Sequence, residues 1–157
     1  MSTEASTPSG AAQSSQLQLV QEWPRMVVGE AVIKLEPNDQ LRFKGPFNTE
    51  RTTNLCITNL SKLHGLLYKV KCTDNSKFSI KDCSDIIEPS KNKTITIRRT
   101  KFTYDPNTYW QENKDKFLVS HLLVGRQHFH DPKVLWDRVR QRDVSYRKNK
   151  LTVQYIL

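Results

Sequence analysis

Apolar residues recur along this chain in short runs, many of them with a period of two. Leu55 and Ile57 share one side of their segment, Ile95 and Ile97 one side of theirs, and Leu151, Val153 and Tyr155 one side of a third. A two-residue period puts alternate side chains on opposite faces of an extended strand, so each run predicts a strand with one face in a core and one in water. The strands so predicted are 31–35, 40–43, 53–58, 66–71, 78–80, 94–99, 116–124 and 151–156, with Val70 and Phe117 also facing inward. They recur every ten or so residues with Pro, Gly, Asn and Asp between them, which indicates an all-β sandwich.

One segment departs from this period. In DPKVLWDRVRQR, Asp131 is placed to cap and Pro132 suits a first helical turn. Val134, Leu135 and Val139 then fall on one side at helical spacing. A short helix before the last strand is expected, with Trp136 in the core.

The two ends of the chain differ in composition. After Met1, residues 2–16 are Ser, Thr, Ala, Gln, Gly and Pro with a single Glu and no large apolar side chain, so residues 1–16 are expected to form a disordered tail. Residues 17–30 turn apolar and carry Trp23; a linker and an added strand are both open there. Residues 31–157 form the folded domain. The start lacks the charged and apolar parts of a signal peptide, and no run approaches the 18 or so apolar residues of a membrane span. Cys56, Cys72 and Cys83 are odd in number and lack CxxC spacing, which argues against a disulfide framework or a zinc site. A cytoplasmic location is expected, with the sequons at Asn59 and Asn92 unmodified.

Charge narrows the partners. With 25 Lys and Arg against 16 Asp and Glu, the chain carries +9 at neutral pH, which favours acidic peptides, nucleic acid or anionic membranes. Lys69 and Lys71 lie two apart on a predicted strand and so point to one face, although any one such lysine is ordinarily just a solvated charge. The basic stretch containing Arg138, Arg140, Arg142, Arg147, Lys148 and Lys150 is broken by Asp137 and Asp143, and no nucleic-acid module accompanies it, so no nucleic acid is expected. His128, His130 and Asp131 are a weak metal match without a fourth ligand. No phosphate loop, HExxH or GxSxG is present, and neither catalysis nor a cofactor is expected.

The stretch 41–73, LRFKGPFNTERTTNLCITNLSKLHGLLYKVKCT, followed by KFLV at 116–119, resembles the major sperm protein (MSP) domain. It is most similar to the version in the VAMP-associated proteins of the endoplasmic reticulum, from about Val32 to Leu157. The resemblance implies an immunoglobulin-like, seven-stranded β-sandwich with a short helix before the last strand and no catalytic site. It also implies a groove for short acidic, phenylalanine-containing (FFAT-like) peptides of partner proteins. By the family's K-V-K-T-T and K-F-M-V patterns, the contacts would be Lys69, Lys71, Thr73, Lys116, Leu118 and Lys150.

There are departures from that pattern. Cys72 stands for a Thr, which would remove a hydroxyl from the groove, and Leu118 stands for a Met. Asn59-Leu60 replaces Asn-Pro, KDCSDIIEPS replaces a Gly-containing surface loop, and a longer loop carries Tyr109 and Trp110. The VAMP-associated relatives have a C-terminal anchor; none is expected here, so recruitment to endoplasmic reticulum contacts or the cytoskeleton would go through partners. The other role that the resemblance implies is that of the major sperm proteins themselves, a cytoskeletal protein that dimerises and assembles into filaments.

Overall fold

The computed structural model of the chain describes residues 32–105, 115–126 and 131–157. The expectations for the tail, for the segment 17–30 and for the loop bearing Tyr109 and Trp110 lie outside them. Two sheets face each other. The first has the order β1 (Ile33–Glu36), β3 (Arg51–Asn59), β7 (Asn92–Arg99), β5 (Phe78–Ile80), all antiparallel. The second has the order β2 (Gln40–Lys44), β9 (Arg147–Ile156), β8 (Lys116–Val124), β4 (Gly65–Cys72), β6 (Ser84–Ile87). Its β2–β9 pair is parallel and the others are antiparallel. The chain leaves the first sheet after β1 and enters the second at β2 across three residues that include Pro37.

Alternation puts the core between the sheets. Leu55 and Ile57 of β3 and Ile95 and Ile97 of β7 are buried, while Thr52, Asn54, Thr94 and Thr96 face solvent. Opposite them lie Leu66, Tyr68 and Val70 of β4, Phe117 and Val119 of β8, and Leu151, Val153 and Tyr155 of β9. The all-β sandwich is as the sequence predicts, and Leu55, Ile57, Val70, Ile95, Ile97, Phe117, Trp136, Leu151, Val153 and Tyr155 are all buried as expected.

Four details differ from expectation. The described residues form nine strands, not seven. One of the additions is β6, inside the stretch read as a surface loop, which pairs with β4 and buries Ile87. The last strand begins at Arg147, not Leu151: the polar residues 147–150 pair with β8 through their backbones, which leave no apolar pattern in the sequence. In the helix α1 (Pro132–Gln141), Leu135, Trp136 and Val139 are buried and Val134 is exposed. The helix begins where expected, with the Asp131 carboxylate accepting from the Lys133 amide at 2.9 Å and Pro132 in the first turn.

Helix α1 does not pack in the main core. Leu135, Trp136 and Val139 form a second cluster with Leu67, Leu122 and Val124, which project from the outer face of the second sheet. This explains why β4 and β8 read as continuous apolar runs at one end and alternate at the other. Gly65 to Tyr68 and Ser120 to Val124 are buried on both sides, while Lys69 and Lys71 mark where the helix stops covering the sheet.

Candidate functional site

Beyond the helix, the outer face of β4, β8 and β9 is open, and the register orders it into rows. Lys71 pairs with Leu118, and Leu118 pairs with Lys150. One row nearer the helix, Lys69 pairs with Ser120, and Ser120 with Lys148. One row farther away, the Thr73 amide donates to the Lys116 carbonyl at 3.1 Å, and the Lys116 amide donates to Thr73 Oγ1 at 3.2 Å. Lys116 in turn pairs with Thr152. Neighbouring strands lie about 4.8 Å apart, so the Cα atoms of Lys71 and Lys150 are about 10 Å apart with Leu118 between them.

The six residues singled out from the sequence, Lys69, Lys71, Thr73, Lys116, Leu118 and Lys150, are therefore brought onto one surface. Leu118 is half-buried, Lys69 partly so, and the other four are exposed. No position in the three rows is acidic. Neither Lys69 nor Lys71 has a salt-bridge partner among the described residues. The Lys69 ammonium is pushed below its ordinary value, first by burial and then by the nearby Lys71 and Arg140 charges. Cations are thus crowded here, with Asp137, the partner of Arg140, as the acidic neighbour that opposes the shift.

Cys72 does not belong to this surface. It is out of phase with Lys71 and Thr73 and packs against the main core, its thiol donating to Asn75 Oδ1 at 3.1 Å. The exchange of Thr for Cys therefore removes no hydroxyl from the open face. Conversely, Ser120 and Tyr146 were passed over in the sequence, and Arg140 and Lys148 were read only as part of a basic stretch, yet all four line or border this face. Lys148 was legible in principle, two residues before Lys150, once β9 is begun at Arg147.

His128 and His130 lie outside the described residues. Among the described residues no group of three or more His, Cys, Asp or Glu is placed to hold a metal ion. No described helix is long and apolar enough to cross a membrane.

Comparison with known proteins agrees with this architecture. The sequence pattern of the MSP (Major sperm protein) domain matches residues 32–143. The chain belongs to the MSP domain family. A vesicle-associated membrane protein/synaptobrevin-binding protein of Aplysia californica is 32% identical over 111 residues, which is 71% of this chain and 41% of the relative. The human vesicle-associated membrane protein-associated protein A is 34% identical over 99 residues, 63% of this chain and 38% of the relative. The chain thus spans less than half the length of these relatives. Among solved structures, the Caenorhabditis elegans MSP family member WR4 superposes with a TM-score of 0.57 at 16% identity. That alignment covers 80% of this chain and all of WR4, and it shows the shared fold.

Proposed function

We propose that this MSP domain is a non-catalytic protein-interaction module whose open basic face binds short acidic, phenylalanine-bearing (FFAT-like) segments of partner proteins. The observation that supports this most is the row Lys71–Leu118–Lys150, an apolar side chain flanked by two ammonium groups. Ammonium groups draw an acidic segment in from a distance, an attraction that salt weakens. Leu118 offers the short-range part, because an aromatic ring resting on it leaves water. Lys69, Lys116 and Thr73 extend the contact along the strands, and the lysine stems add apolar surface beneath their charges.

The relatives' names connect them with vesicle-associated membrane proteins, which supports protein partners for this chain too. The domain would then act in the cytoplasm and reach endoplasmic reticulum contacts through those partners. A cation-rich face opposes self-association across that same face.

The test is a titration of the chain with a fluorescent acidic peptide bearing two phenylalanines. Reversal of Lys69 and Lys116 to Asp should abolish binding while circular dichroism stays unchanged. Absence of binding by the unaltered chain would overturn the proposal.

A further inference from the structure

Where the open face meets helix α1 there is a hollow of about 110 Å³. It is lined by Ser120 of β8, Trp136 and Val139 of α1, and Tyr146 just before β9, with Lys69 and Arg140 contributing charge. Such a volume exceeds what one water needs and suits a single side chain. Its walls are held in place. The Tyr146 ring stands edge-on to Trp136 at 5.3 Å between centroids, and Lys148 Nζ lies 5.4 Å from the centre of the same ring. The Trp136 indole N–H donates to the Tyr68 carbonyl at 3.3 Å, and Arg140 is tethered to Asp137 on its own helix.

Two features define what this hollow accepts. Its lining by Trp136, Val139 and Tyr146 favours an apolar group, and the cations Lys69 and Lys71 disfavour a positively charged one while favouring acidic neighbours, Arg140 being already paired with Asp137. Its position supplies the spacing. Ser120 follows Leu118 by two residues on β8, so the hollow lies one row, about 7 Å, from the apolar centre of the face. An extended segment running along β8 projects its own residues i and i+2 toward the sheet at that same interval.

We propose that the hollow is a second side-chain subsite, taking one bulky apolar residue of an acidic segment two positions from the residue seated on Leu118. This rests on the peptide-binding reading above and adds to it the number and spacing of the ligand's anchors. Tyr146 is the specificity-determining residue, because it forms the exposed wall of the hollow, whereas Val139 and Trp136 also serve the helix–sheet contact.

The experiment compares two acidic peptides, one containing Phe-Asp-Phe and one Phe-Asp-Ala, by fluorescence polarisation, with the indole N–H resonance of Trp136 followed by NMR. The first peptide should bind about tenfold more tightly, the gain expected from burying one more aromatic ring. Only that peptide should shift the Trp136 resonance, and Tyr146→Ala should reduce its advantage to less than about threefold. If the two peptides bind equally, leave Trp136 unmoved and still lose binding to Lys71→Asp, the second subsite is wrong and the basic face stands. If neither peptide binds the unaltered chain, both ideas fall.

Discussion

Arg99 at the end of β7 donates through Nε to the hydroxyl of Tyr155 on β9 at 2.9 Å, a buried bond that ties one sheet to the other. The guanidinium lies 4.1 Å from the Phe102 ring centre, and the Tyr155 hydroxyl donates on to Asp115, which Lys77 also meets at 3.2 Å. Tyr155→Phe keeps the ring and removes the hydroxyl that accepts from Arg99 and donates to Asp115. A loss of about 1–3 kcal/mol is expected in urea denaturation, since charged groups are involved. An unchanged midpoint would show that the sheets are held together here by ring packing alone.

Asn59 is fully buried and serves three backbone groups at once. Its amide nitrogen donates to the carbonyls of His64 and Ile87, and its side-chain oxygen accepts from the Ser61 amide. It thereby joins the end of β3 to β6 in the opposite sheet. Asn59→Ala should cost about 2–4 kcal/mol, by leaving buried carbonyls without their donor. The measurement is chemical denaturation, and a loss under about 0.5 kcal/mol would contradict the role given to this side chain.

Acidification should weaken the fold through His121. This residue is 1% exposed; Nε2 lies 2.6 Å from Asn149 Oδ1, while Nδ1 is buried and meets no hydrogen-bond partner among the described residues. Burial holds its pKa below the ordinary 6.5 against the opposing hydrogen bond with Asn149, and the Arg147 charge adds to the lowering. The unfolded chain therefore takes up a proton at a higher pH than the folded one. Stability is full above about pH 6.5 and falls as pH drops from there toward the lowered folded value. The slope contributed by one such group is at most about 1.4 kcal/mol per pH unit. Melting curves between pH 7.5 and 5 should show His121→Gln with a shallower decline than the unaltered chain.

The helix contact separates two neighbouring residues. Leu135 is fully buried against the outer face of the second sheet, and Val134 is 43% exposed. Leu135→Ala should cost about 2–5 kcal/mol, whereas Val134→Ala should change stability by less than about 0.5 kcal/mol. Asp131→Ala removes the helix cap and should cost about 1 kcal/mol. Thermal melts of the three variants give the ranking directly.

Binding to the open face should be local, not diffuse. Lys91 sits in the turn before β7, away from the three rows. Lys91→Asp should weaken an acidic peptide far less than Lys71→Asp, acting only through long-range attraction. Raised salt should reduce affinity without eliminating it, since the contact with Leu118 is apolar. Equal losses at both lysines would point to a general charge effect.

The sheet cores were legible because side-chain alternation is written residue by residue, as at Leu55 and Ile57 or Ile95 and Ile97. Strands whose pairing depends on the backbone were not. Ser84–Ile87 and the polar start of β9 carry no alternation, yet both join the second sheet. Helical spacing found α1 but put Val134 on the buried side, because the side that packs depends on how the helix lies across β4 and β8. The placing of Lys69 and Lys71 on one face followed from their spacing alone. Their meeting with Leu118 and Lys150 depends on a register between segments far apart in sequence, for which the family resemblance supplied the expectation. Arg140 and Tyr146 had no such signal: they reach this face only through the docking of the helix.

That docking gives the surface an origin. The covered rows at Leu67 and Leu122 end in a wall, the open rows begin beside it, and among the described residues no helix lies over the far end at Thr73 and Lys116. A partner segment bound along β8, as proposed, would be measured from the helix outward: its position would be set where it abuts α1, and its length would extend toward Thr73 and Lys116. A few residues of α1 would thus act as the zero mark of a ruler whose graduations are the strand pairs themselves.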